Sequence, residues 1–181
     1  MNAWIEFAAY QAVWFVAVIA AGHGHAWPGT LAAAAFVAAQ WLLAPRRVGM
    51  AMLLGLALLI GALVDGALAL SGWARYSAAW PSPHAAPGWI LGLWCAFATT
   101  LTGSLRMLQT HLSAAAALGA IGAPLAYLGA ARGWGSVAFA EPAWRGLALL
   151  ALGWALALPA LAWSARRLAQ APRAGATGAI V

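Results

Sequence analysis

Charge is what this chain has least of: lysine is absent, Asp and Glu together number three, and only 7% of 181 residues are charged. With 65% apolar residues and a mean hydropathy of +0.85, too little polar surface remains to cover a water-soluble globule. The solvent is expected to be lipid. Cysteine is nearly absent as well, since Cys95 stands alone inside an apolar run, so an intramolecular disulfide or a multi-cysteine metal site is excluded. Missing lysine, together with heavy use of Ala and Gly, reads as the residue bias of a GC-rich bacterial genome. No GxSxG, HExxH, phosphate-loop or paired-carboxylate pattern occurs, which argues against the established hydrolase, ATPase and zinc-protease chemistries.

What is present is a series of long apolar runs, each near the ~20 residues that cross ~30 Å of hydrocarbon. The expectation is an all-α integral membrane protein, a bundle of six transmembrane helices with both termini in the cytoplasm. The expected spans are 4–21, 27–44, 48–71, 88–105, 112–131 and 143–163 of a single domain over 1–169, followed by a disordered cytoplasmic tail over 170–181. The first run carries Glu6 and no basic flank, so it reads as a retained helix and not a cleaved signal. Pro45 with Arg46 and Arg47 stops the second run. The segment from Gly72 to Pro87, rich in Pro, Ser and Trp, resists helix and strand alike and is expected as a loop outside the membrane.

A net charge of +6 would suggest nucleic acid in a soluble protein, but the arginines sit singly or in pairs at the ends of apolar runs. That is topogenic charge. Arg46, Arg47, Arg106, Arg166, Arg167 and Arg173 fall on one side and Arg75, Arg132 and Arg145 on the other, which favours N-in, C-in. Most tryptophans fall at the proposed span ends, the headgroup level; Trp14, Trp94 and Trp154 sit deep. Gly119, Gly122, Ala123, Gly129 and Gly133 give the fifth span a small-residue face that lets backbones approach, and Pro124 is expected to kink it. No internal repeat is apparent, which weighs against an inverted-repeat transporter.

Polar side chains within the spans are the candidate functional residues, because burying them in lipid demands partners. Asp65 lies ~25 Å by helix rise from the inner boundary, near the depth of Tyr127, so a hydrogen bond from Tyr127 or an ion pair with Arg75 or Arg145 is feasible. It is either a satisfied structural carboxylate or a proton-binding, substrate-binding or catalytic one. A second layer toward the inner side holds Glu6, Gln11, Gln40, Thr99, Thr100, Thr102 and Ser104. The threonine hydroxyls can bond back to carbonyls one turn earlier, or the layer can form a small polar pocket for a lipid headgroup. His23, His25 and His84 lack acidic or cysteine company, and no histidine pair lies at matched depth for haem, so no metal or cofactor is expected.

Several strings in these spans are distinctive: Asn2 with Gln11-Ala-Val-Trp14-Phe15, Val64-Asp65-Gly66, Leu93-Trp94-Cys95 through Thr99-Thr100-Leu101 to Ser104-Leu105, and Gly122-Ala123-Pro124 to Tyr127-Leu128. Together they resemble the DUF2878 family of small bacterial inner-membrane proteins, over nearly the whole chain. Where that family's pattern has Asn-His before the Ser-Leu pair, this chain has Thr102-Gly103, so no histidine-dependent role carries over. The resemblance implies a polytopic membrane fold without an assigned activity and a connection with membrane lipid metabolism. The expectation is therefore a non-catalytic accessory or transport-like protein of membrane lipid or envelope homeostasis, with membrane lipids as partners. Its alternatives are a lipid-acting membrane enzyme using Asp65 or Glu6 as acid or base, and a structural partner of a membrane protein, or of a second copy, through the fifth span.

Overall fold

The computed structural model describes residues 2–170, and the expected tail lies outside them except for Gln170. Six helices follow one another: α1 Ala3–Gly22, α2 Trp27–Leu43, α3 Arg47–Leu70, α4 Gly88–Thr100, α5 Leu112–Trp134 and α6 Trp144–Gln170. Their limits have local causes. Asn2 caps α1 by accepting from the Trp4 N–H at 3.0 Å, Pro28 stands in the first turn of α2, and Gly135, at φ 64°, closes α5 in the left-handed region. Four of them, α1, α3, α5 and α6, are long and apolar enough to cross a membrane, whereas α2 and α4 are apolar but shorter.

Two boundaries differ from expectation. Helix α4 stops at Thr100, not 105, because the hydroxyls of Thr99, Thr100 and Thr102 turn back onto backbone carbonyls and Gly103 follows, although the hydropathy continues through Leu101 and Leu105. Helix α6 continues past Trp163 to Gln170, with Arg167 lying over the Trp163 ring at 5.2 Å. The loop after α3 also departs from its reading. Ala74–Tyr76 forms a strand, β1, paired antiparallel with β2, Val137–Phe139, in the register Arg75 opposite Ala138. The strand was illegible locally because its partner lies in the loop between α5 and α6.

The helices alternate in direction, which gives the bundle two unlike ends. At the arginine end, Arg46 at the start of α3 donates to the Leu168 carbonyl of α6 at 3.5 Å, and Glu6 meets the chain beyond α4. At the sheet end, β1 and β2 cover the core, Trp80 packs on Trp27 at 4.8 Å, and Gly22 touches the Trp134 backbone. Small residues set the helix spacing throughout. A Cβ on Gly119 would lie 2.2 Å from the Trp154 carbonyl oxygen, so α5 and α6 meet backbone to backbone there. Part of the small-residue face of α5 is thus spent inside the chain, while Gly129 and Gly133 meet nothing. Outside, large apolar side chains stay uncovered, Leu70 and Leu156 each 74% exposed, as a lipid solvent permits.

Candidate functional site

Asp65 is 0% exposed near the sheet end of α3. Its Oδ1 accepts from the Tyr76 hydroxyl of β1 at 2.7 Å and from the Tyr127 hydroxyl of α5 at 2.5 Å. Its Oδ2 accepts from Trp94 Nε1 of α4 at 2.6 Å. Gly61, one turn earlier on α3, makes the last bond possible, because a Cβ there would sit 2.6 Å from the Trp94 ring. The bare backbone lets the indole lie flat, and Trp154 of α6 stacks on its other face at 3.9 Å and 21°. The partners are three neutral donors from three elements, with no arginine among them. Burial, then the charge of Asp65, hold the Tyr76 phenol far above the ordinary tyrosine range, so it remains a donor.

The polar layer at the arginine end resolves into separate pieces. Glu6, 4% exposed, accepts from the Gln40 side chain of α2 through Oε1 and from the Ser104 backbone N–H at 2.6 Å through Oε2. A Cβ on Gly103 would fall 2.0 Å from Oε2, so the carboxylate rests on bare backbone. Ser104 therefore joins through its amide; its hydroxyl is buried and has no partner among the described residues. Thr99 and Thr100 are not part of this group, since their hydroxyls donate to Ala96 O at 2.7 Å and Phe97 O at 2.6 Å. Gln11 is exposed and faces elsewhere, onto the cavity described next. Among the described residues no cluster of three metal-ligating side chains occurs.

Between α1 and α5, floored by α4 and α6, lies a cavity of about 520 Å³. The three deep tryptophans, Trp14, Trp94 and Trp154, all wall it, and so do Tyr10 and Tyr127. Asp65 does not reach it; Trp94 and Tyr127 stand between. Tyr76, Tyr10 and Gly61 escaped sequence reasoning. A signal existed for Tyr76, since a buried phenol needs an acceptor and Asp65 is the nearest acid in the chain.

A small helical chain of membrane-compatible apolar helices, with two internally satisfied carboxylates and an apolar cavity, is the class these observations define. The chain belongs to the family described as "Protein of unknown function (DUF2878)", whose model matches residues 3–160. No curated protein and no solved structure matches it.

Proposed function

We propose that this is a bacterial inner-membrane protein of six spans, N-in and C-in, acting without catalysis as an accessory or transport-like protein in membrane lipid homeostasis. The observation that carries the reading is the cavity, about 520 Å³ of mainly apolar space inside a bundle whose outer surface is apolar too. Apolar space of that kind favours a membrane-derived molecule over a polar solute. The preponderance of arginine at the end that holds both described termini supports the orientation, and α2 and α4 complete their crossings with the turns that follow them. An enzymatic reading has less behind it, because Asp65 is sealed from the cavity by its own donors and Glu6 already accepts at both oxygens. The test is the lipid profile of a deletion strain, complemented with wild type or with Asp65→Asn. A shifted profile restored by wild type is expected. An unchanged profile in the deletion removes the lipid role.

A further inference from the structure

The cavity is elongated. Along α1 it runs from Phe7 to Val18 and along α5 from Leu118 to Ala130, about 17 Å of helix rise in each case. Its volume is about 520 Å³ and its lining is mainly apolar. An elongated apolar slot of this length suits a hydrocarbon chain.

The two ends differ. At the sheet end the slot is blind: Val18, Trp89, Ala130 and Val137 are buried, and α1 meets α5 directly where Gly22 lies against the Trp134 backbone. Trp14 and Phe15 add edge contacts to the Trp134 ring at 5.9 and 5.6 Å. Toward the arginine end the slot's walls come to the surface, with Phe7 42% and Leu118 45% exposed. Polarity follows the same axis. The Tyr10 hydroxyl and the Gln11 amide, neither with a hydrogen-bond partner among the described residues, stand in the half near the mouth. Arg106, exposed, follows the slot-lining Leu105 and offers a cation at headgroup level.

We infer that the slot between α1 and α5 holds one acyl chain of a membrane phospholipid, inserted tail-first from the arginine end, with its ester and phosphate left at the mouth. This deepens the lipid reading above by naming the ligand and its site. Gly122 supplies a clean test, because a Cβ there points into the slot and meets only Leu118 of its own helix, at 3.6 Å. Replacing this glycine removes space and raises helix propensity at once.

Full-length protein, stripped of lipid in detergent and incubated with dioleoyl phosphatidylglycerol, is to be weighed by native mass spectrometry beside Gly122→Phe, Ala126→Phe and the open-surface control Gly129→Phe. Circular dichroism checks that each remains helical. Wild type and Gly129→Phe are expected to carry one phospholipid, and the two filled variants at least tenfold less. Equal retention by a filled variant that keeps its helicity overturns the inference. So does a wild type that takes up nothing, or that takes oleic acid in preference to the phospholipid. An unchanged deletion lipidome beside a lost adduct would remove the homeostatic role and leave the site standing; the reverse pair of results would do the opposite.

Discussion

Asp65 and Glu6 are both carboxylates buried in an apolar bundle, and among the described residues neither is held by a cation, yet they are satisfied in different ways. Asp65 draws its donors from β1, α4 and α5, all side chains, 11, 29 and 62 positions away in the chain. Glu6 takes one side-chain amide from α2 and one backbone N–H from the turn beyond α4, beside exposed Thr102 and Gly103. The first locks the sheet end of the bundle through aromatic rings that fit only one way. The second fastens the start of α1 to a turn that water can reach. Burial of a charge-capable group in lipid is thus compatible with two levels of commitment, and the number of donors stranded by its loss separates them.

The largest expected effect comes from Asp65→Ala, which strands three donors at about 1–3 kcal/mol each and should cost on the order of 3–9 kcal/mol. Thermal unfolding in detergent, followed by helicity, measures it, and a loss below ~1 kcal/mol would show that the three bonds fasten nothing. Glu6→Ala strands only Gln40 and the Ser104 amide, the latter within reach of water, so about 1–3 kcal/mol is expected in the same assay. If that loss equals the loss at Asp65, the contrast between the two ends collapses. The smallest effect is expected from Thr99→Val: its hydroxyl serves only a carbonyl of its own helix, and a change under ~0.5 kcal/mol should follow. A larger penalty would reveal a partner for Thr99 other than Ala96.

Much of this arrangement is legible in the sequence. Apolar runs interrupted by Pro, Gly and paired Arg gave the six helices, and counting helix rise brought Tyr127 to the depth of Asp65, where its hydroxyl now donates. Trp14, Trp94 and Trp154, deep in the spans by sequence, all wall the slot. What stayed hidden depends on long-range pairing. Tyr76 reaches Asp65 because β1 pairs with β2 across α4 and α5, and no local pattern encodes a three-residue strand with so remote a partner. The end of α4 was misplaced for the opposite reason: hydropathy reports what lipid tolerates, and it runs on through Leu101 and Leu105 after the hydrogen bonding has changed. Ser104 was singled out for its hydroxyl, whereas its backbone is what Glu6 uses.

The separation of Asp65 from Tyr127, 62 positions along the chain, bears on how the protein is made. At a synthesis rate of roughly 5 to 20 residues per second, α3 waits about 3 to 12 s before the phenol of α5 emerges. In a chain that spans a membrane, as proposed above, the carboxyl is during that interval carried into the bilayer by the leucines and alanines around it. Helix α3 is the most hydrophobic of the four long helices, at a mean hydropathy of 2.3, which offsets the insertion penalty of its aspartate. On the membrane reading proposed above, the leucines of α3 offset the cost of inserting an acid whose last partner has yet to be translated.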